Sequence, residues 1–277
     1  MRLRPIKATV IACVAALLWS GAAQAQFTNR DGYNEDGTYR VQAEIDPYAW
    51  IPATSSTIHF AHPNGGVTIN QSTGLPSASQ LSSVLNVALM GAALVRYGPF
   101  SAGFDLQWVS AIASRDRMID GTRLTIHTNE ALALVRVAPE LGYQVVSTEV
   151  YDVPISVDAR VGFSYDSVGA SLNPARAAFT GLSRNDSFTQ PFLGLRADIF
   201  PTPDWRVELG GMVQGFGVDG GSWGWGASAI VSYLVTSWFD VSLGFRALNT
   251  ERFGGRNDQR SINLTMYGPL LGVGFRF

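Results

Sequence analysis

Few side chains in this sequence are suited to acid–base or nucleophilic chemistry. It contains three histidines, His59, His62 and His127, and one cysteine, Cys13. His59 and His62 are close in sequence, but a metal site needs further ligands, and no spacing in the chain supplies them. We therefore expect both to be loop residues, and we expect neither a metal nor a cofactor.

His127 is the histidine with candidate catalytic neighbours. Together with Ser114 and Glu130 it could form the serine, histidine and acid set of a hydrolase that attacks lipid esters from within a membrane. Asp116 and Asp120 with His127 could instead imitate a surface protease site. No serine-centred motif accompanies either set. We expect that the chain is not an enzyme, and we keep the lipid hydrolase as an alternative.

The elements that would position these residues are clearest at the carboxyl end. Larger apolar or aromatic groups occupy every second position there, at Tyr267, Pro269, Leu271, Val273, Phe275 and Phe277. Gly268, Leu270 and Arg276 fall between them. This pattern is typical of the last strand of a transmembrane β-barrel, which the barrel-assembly machinery would engage. A half-buried strand of a soluble sheet has the same period.

Residues 1–25 favour the barrel, because they have the three parts of a secretory signal peptide. These are a positive start, an apolar run over 8–19 and a small-residue cleavage site at 23–25. The apolar run is too short to cross a bilayer as a helix. Cleavage would remove Cys13 and three of the 20 basic residues, leaving 17 against 22 acidic ones. A negative exported chain is expected to meet periplasmic chaperones and not nucleic acid.

Alternation of apolar with polar residues predicts an all-β fold. We expect a transmembrane antiparallel up-and-down β-barrel over 40–277, after a periplasmic leader over 26–39. It has about ten strands, with eight or twelve as alternatives, and an even number puts both termini in the periplasm. The predicted strands are 40–51, 86–97, 100–113, 123–137, 153–165, 188–200, 205–217, 223–235, 239–249 and 261–277.

The segments between these strands are predicted as loops and turns. Loops are expected over 52–85, 114–122, 166–187, 218–222 and 250–260, and a longer turn over 138–152. The first loop could hold a small hairpin, 56–62 with 67–70, and a helical turn over 77–85. Aromatic residues near the strand ends predict two belts at the membrane surfaces. The belts contain Tyr97, Phe100, Phe200, Trp205, Trp238 and Phe239 by the turns, and Trp50, Trp108, Tyr165, Trp223 and Trp225 toward the loops.

Two tight hairpins allow the register to be predicted. Around Gly98-Pro99, the apolar faces match without a slip. In the hairpin of strands 188–200 and 205–217, Asp198 opposite Arg206 and Arg196 opposite Glu208 would form two ion pairs on the inner face. An Arg on the lipid face would cost about 2–4 kcal/mol at mid-depth. That cost keeps the charged face of both strands turned inward.

Charged residues share the inward face of the predicted strands. Besides Glu44 and Asp46, the expected lumen network consists of Asp105, Asp158, Arg160, Arg196, Asp198, Arg206, Glu208, Asp240 and Arg246. Lys7 is the only lysine, so every cation of the network is an Arg, which suits forked and buried ion pairs. Ten strands leave little cross-section once such side chains fill it. We favour a structural network over the lining of a pore.

Several short motifs resemble a family of proteobacterial outer-membrane β-barrel proteins. They are Asp46-Pro47-Tyr48-Ala49-Trp50, Leu89-Met90-Gly91-Ala92, Arg96-Tyr97-Gly98, Gly194-Leu195-Arg196, Trp205-Arg206-Val207, Gly215-Phe216-Gly217-Val218, Gly244-Phe245-Arg246-Ala247-Leu248 and the segment 268–277. The resemblance implies a monomer inserted among outer-membrane lipids, and it carries no catalytic residue. We expect a non-enzymatic structural or surface role with extracellular loops. A narrow porin-like channel for small solutes or ions is the alternative.

Overall fold

The computed structural model of the protein describes residues 32–34, 36–60, 67–73, 85–118, 125–174, 182–218, 223–253 and 261–277. Twelve strands lie in this part of the chain: β1 (Val41–Trp50), β2 (Ala53–Phe60), β3 (Val67–Thr73), β4 (Leu85–Tyr97), β5 (Phe100–Met118), β6 (Thr125–Val150), β7 (Val153–Pro174), β8 (Leu182–Thr202), β9 (Trp205–Gln214), β10 (Gly224–Thr236), β11 (Phe239–Phe253) and β12 (Ser261–Arg276). Within these ranges, no helix is both long and apolar enough to cross a bilayer. The signal segment, His62, Asp120 and positions 77–84 of the predicted helical turn lie outside them.

Ten of these strands close a barrel. From β4 to β12 each strand pairs antiparallel with the next, and β1 pairs with both β4 and β12. Following cross-strand partners once around the barrel leads from Val41 to Ala53, a stagger of twelve residues. For ten strands this stagger corresponds to a strand tilt of roughly 40°. The predicted ten-stranded antiparallel barrel is confirmed.

The two ends of the barrel differ. Two-residue turns join β4 to β5, β6 to β7, β8 to β9 and β10 to β11. We call this the turn end, and the carboxyl terminus lies there beside the start of β1. The opposite ends of these strands form the other end of the barrel, which we call the loop end. The residues of the leader that are described fold back at the turn end, where the Gly98 N–H donates to the Gly32 carbonyl over 3.1 Å.

The outer surface of the barrel is apolar. Leu89, Val161, Leu195 and Leu243 are each more than half exposed, while the residues that alternate with them point into the barrel. Lipid is the solvent that suits such a surface, because water-soluble proteins rarely expose a broad apolar area. The faces predicted from the alternation are therefore those of a membrane-spanning barrel.

Exposed aromatic residues form two belts on this surface. The turn-side belt contains Tyr97, Phe100, Tyr143, Trp205, Tyr233 and Trp238, and the loop-side belt contains Trp108, Tyr165, Trp223 and Trp225. Phe100 and Trp108 lie on one tilted strand, which separates the belts by about 20 Å along the barrel axis. The prediction is wrong for Trp50 and Phe200. Both are buried, because they occupy inward positions of β1 and β8.

Four neighbouring strands form a wall that continues beyond the loop-side belt. β5, β6, β7 and β8 have 19, 26, 22 and 21 residues, whereas about 9–11 residues cross a bilayer. The predicted turn over 138–152 is wrong, because β6 runs to Val150. The predicted loop over 166–187 is also wrong in its described parts, which belong to β7 and β8. Outside the membrane both faces of a strand are in water, so polar residues on either face do not end the strand.

The barrel wall is incomplete between β1 and β4. These strands pair from Val41 with Tyr97 to Pro47 with Gly91, and no described residue continues the ladder toward the loop end. The Pro47 carbonyl lies near Gly272 of β12 and the Asp46 carbonyl lies near Gly91 of β4, so the N–H that proline lacks belongs to the β12 side of β1. Beyond this point β1 and then β2 follow β12, while among the described residues β4 pairs with β5 alone. We call this interruption the seam.

β2 and β3 form a hairpin beyond the seam. It contains the small hairpin predicted inside the first loop. His59 pairs with Thr68 in this hairpin, so the expectation of a loop residue is wrong for its backbone. β1 passes into β2 at Ile51 and Pro52, close to Gly268 of β12. A side chain at position 268 would collide with the Ile51 carbonyl, so glycine permits the close approach.

The register predicted for β4 with β5 is confirmed, whereas that for β8 with β9 is wrong by two residues. Asp198 lies opposite Glu208, and Arg196 lies opposite Gly210. The ladder is irregular just before Thr202, next to the turn. The prediction ended this strand at 200, whereas β8 runs to Thr202, which pairs with Trp205. The turn is therefore two residues shorter than predicted, and the partners beyond it change.

Replacing Leu195 by Arg is expected to destabilise the barrel by about 2–4 kcal/mol. Leu195 lies on the lipid-facing side of β8 between the two belts, so the guanidinium would enter hydrocarbon. Denaturant unfolding in phospholipid vesicles measures the free energy. The same substitution at Tyr151, in an exposed turn, is the control and should change it by less than about 0.5 kcal/mol. Equal effects at both positions would contradict the lipid-facing assignment.

Candidate functional site

The turn-end half of the lumen holds a network of arginine and carboxylate side chains. At its centre, Asp158 on β7 is 1% exposed and lies between Arg96 on β4 and Arg196 on β8. Arg96 donates to both carboxylate oxygens, one of them over 3.2 Å, and Arg196 Nη2 lies 3.0 Å from Oδ2. Because an unpaired buried charge is costly, this carboxylate fixes three strands relative to one another.

A second part of the network spans the strand pair that closes the barrel. Glu44 on β1 accepts hydrogen bonds of 2.8 Å from Arg206 on β9 and from Arg276 on β12. Arg206 Nε also donates to Asp198 over 2.7 Å, and Arg276 Nε donates to Asp240 over 2.8 Å. Charge-assisted hydrogen bonds of this kind are stronger than neutral ones. They hold β1 against β12 from inside the barrel.

Two further ion pairs extend the network along the lumen. Arg160 pairs with Glu140 at 3.1 Å, and Arg246 pairs with Asp105 at 3.1 Å. The Tyr48 hydroxyl donates to Asp105 over 2.8 Å and accepts from Arg246 over 2.8 Å. The Arg246 guanidinium also lies 4.9 Å from the centre of the Tyr48 ring. Tyr48 thereby links the network to the more apolar part of the lumen.

The structure brings together the nine residues expected in the lumen network. Each of them takes part in an ion pair, Glu208 through Arg206 at 3.2 Å. Our sequence reasoning missed Arg96, Glu140 and Arg276. Arg96 and Arg276 alternate with outward residues, so the parity of their strands was the signal that could have found them. Glu140 lies in the segment predicted as a turn.

Nearer the loop end, one side of the lumen is apolar. Buried side chains from β1, β4, β6, β11 and β12 form what we call the lumen cluster, which consists of Trp50, Met90, Leu134, Leu248, Met266 and Leu270. Their outward neighbours, such as Leu89 and Leu271, are exposed. The Trp50 indole N–H donates to the Gly268 carbonyl over 3.2 Å. Transmembrane barrels usually have polar interiors, so this cluster is a departure that we did not predict.

A polar group is enclosed beside the lumen cluster. Arg136 pairs with Asp166 at 2.9 Å and donates to the Gln214 amide oxygen over 2.8 Å. Ser164 donates to Asp166 over 2.8 Å, and the Gln214 amide nitrogen donates to the Thr250 hydroxyl over 2.9 Å. All five side chains are buried. Through these contacts the group joins β6, β7, β9 and β11 inside the lumen.

The strand register shows which of the residues considered for catalysis lie opposite one another. Asp116 on β5 lies opposite His127 on β6. Glu130 is three residues from His127 on the same strand, which assigns the two to opposite faces. The predicted set of Ser114, His127 and Glu130 therefore does not share one face. In the part of the chain that is described, no group of three or more His, Cys, Asp or Glu residues could hold a metal ion.

A small cavity lies at the turn end, between the leader and the inner face of β6. It has a volume of about 350 Å³ and is lined by Tyr33, Gly37, Gln144 and Ser147. Partial burial raises the pKa of the Tyr33 hydroxyl above its ordinary value, so that group stays protonated. The lining carries no formal charge.

Comparisons with known proteins find distant structural neighbours. No family model and no curated protein matches the chain. Among solved structures, the outer-membrane protease OmpT from Escherichia coli is 13% identical over 86% of this chain and 96% of its own, with a TM-score of 0.43. The translocator domain of the autotransporter NalP from Neisseria meningitidis is 10% identical over 98% and 97%, with a TM-score of 0.38. Ail, the attachment invasion locus protein of Yersinia pestis, is 10% identical over 86% and 99%, with a TM-score of 0.31.

These similarities are too low to transfer an activity, and the architecture rests on the strand pairing and the outer surface of the barrel. Apart from the seam, the described strands of the closed sheet pair with a neighbour on each side. The outer face is apolar between two aromatic belts. Only helices and closed barrels satisfy the backbone inside a membrane. The chain is a β-barrel protein of the bacterial outer membrane.

Proposed function

We propose that the protein is a non-enzymatic outer-membrane barrel whose lumen is closed to ions and whose structural or surface role lies at the loop end. The filling of the lumen is the observation that supports this. The ionic network occupies the turn-end half, and the lumen cluster and the enclosed polar group occupy the loop-end half. In a ten-stranded barrel these side chains leave little free cross-section. At the level of the lumen cluster, the enclosed polar group fills the other side of the lumen.

The wall formed by β5 to β8 supports a role at the surface. β5 continues ten residues past Trp108 of the loop-side belt, so this wall offers area outside the membrane that spanning alone does not require. We propose that the loop end faces the outside of the cell and that both termini lie in the periplasm, as usual for even-stranded barrels. Export through the signal segment, delivery by chaperones and insertion as a monomer by the assembly machinery complete this proposal.

Planar bilayers and vesicles containing the protein are expected to show no single-channel steps and no loss of lipid esters. The packed lumen predicts the first result, and the separation of His127 from Glu130 predicts the second. Conductance recording and mass spectrometry of the vesicle lipids measure the two quantities. Empty bilayers and a barrel of known conductance provide the negative and positive controls.

The alternatives give different results in the same experiment. A narrow channel requires steps whose size changes when Arg196 or Arg206 is replaced by Gln. A lipid hydrolase requires product lipids that disappear with His127→Ala. Either result would replace the proposed function, and the two are distinguishable because they depend on different residues and different measurements.

A further inference from the structure

Two independent features of the barrel meet at the seam. The first concerns the backbone, because the ladder between β1 and β4 stops at Pro47 and Gly91. The second concerns the side chains, because both strands beside the seam contribute to the lumen cluster. Trp50 comes from β1 and Met90 from β4. The interior is thus apolar next to the interruption of its wall.

The seam begins at membrane depth. Leu89 of β4 lies opposite Trp108 of the loop-side belt, and both are exposed on the outer surface. Gly91, where the ladder ends, is two residues closer to the turn end. The molecules in contact with the start of the seam are therefore membrane lipids. Next to it the exposed residues Pro47, Ala49 and Leu89 are apolar.

We propose that an acyl chain of a membrane lipid enters through the seam and binds on the lumen cluster. The cluster residues carry no charge, which suits a hydrocarbon chain. Met90 and Met266 lie within it, and Met212 packs against it. Methionine side chains are flexible and fill irregular spaces, so they can rearrange around a chain without opening the ionic network below. The enclosed lumen thereby becomes a lipid-binding site that is reached from the side.

Cysteine labelling tests this proposal in lipid vesicles. In a Cys13→Ser background, single variants Met90→Cys and Met266→Cys are treated with octadecyl maleimide, which dissolves in the bilayer, or with a sulfonated maleimide, which does not. Ser156→Cys is the matched control, because Ser156 is inward-facing and about equally buried (5%, against 6% for both methionines) but lies on β7 across the barrel. Leu89→Cys reports full contact with lipid.

We expect octadecyl maleimide to label Met90→Cys and Met266→Cys at least ten times faster than Ser156→Cys. Equal protection of all three inward positions would overturn the proposal. Faster labelling by the sulfonated reagent would also overturn it, because the cluster would then be reached by water from a barrel mouth. A heat-dependent shift on gel electrophoresis confirms that each variant is folded before it is labelled.

Discussion

Replacing Asp158 by Asn is expected to lower the free energy of unfolding by about 3–5 kcal/mol. The change keeps the volume of the side chain but removes the negative charge that Arg96 and Arg196 share. Both guanidiniums are buried, so water cannot compensate for the lost partner. Urea unfolding in phospholipid vesicles, followed by tryptophan fluorescence, measures the difference.

A matched control separates burial from charge in this experiment. Glu149 is an exposed carboxylate on the neighbouring strand β6, and Glu149→Gln should change the free energy by less than about 0.5 kcal/mol. Adding Arg196→Met to Asp158→Asn removes one of the unpaired cations and should recover part of the loss. An Asp158→Asn variant as stable as Glu149→Gln would show that water solvates the network.

Trp50→Ala is the second substitution with a large expected effect, again about 3–5 kcal/mol. Trp50 is 4% exposed, and its removal leaves a space among Met90, Leu248, Met266 and Leu270. The indole hydrogen bond to the carbonyl of β12 is lost as well. Denaturant unfolding in vesicles measures the change in free energy. The change is smaller if the methionine side chains move into the space that the indole leaves.

The control for Trp50 is a tryptophan of the loop-side belt. Trp225 is 46% exposed on the outer face of β10, so Trp225→Ala should cost clearly less than Trp50→Ala. Trp50→Phe keeps most of the apolar volume and should lose only about 1 kcal/mol with the hydrogen bond. If Trp225→Ala proves as destabilising as Trp50→Ala, the placement of Trp50 inside the barrel is wrong.

The sequence predicts much of this fold because a strand alternates its faces with a period of two. Asp158 and Arg160 fall between outward residues on β7, and that parity alone places them in the lumen. The same reasoning gives ten strands and the register around Gly98-Pro99. These features depend on neighbours along one strand or across one tight turn, which the sequence carries locally.

Other features depend on contacts that alternation does not report. At Trp50 and Met90 both faces of the strand are apolar or aromatic, so the pattern does not distinguish the lumen from lipid. β6 and β7 continue as strands outside the membrane through polar residues, where only their mutual pairing identifies them. The cross-strand partners of Asp198 depend on how β8 and β9 pair near Thr202, where the ladder is irregular. The seam exists because the ladder between β1 and β4 stops at Pro47.

Glu44 connects the first and last strands of the barrel, with partners 162 and 232 residues away. The bond from Arg276 joins β1 to β12, so it forms only when the cylinder has closed in the correct alignment. Closure displaced by two residues would move Glu44 away from Arg276 and leave a carboxylate stranded in a low-dielectric interior. The charge pattern therefore gives biogenesis a built-in discrimination between correctly and incorrectly sealed products.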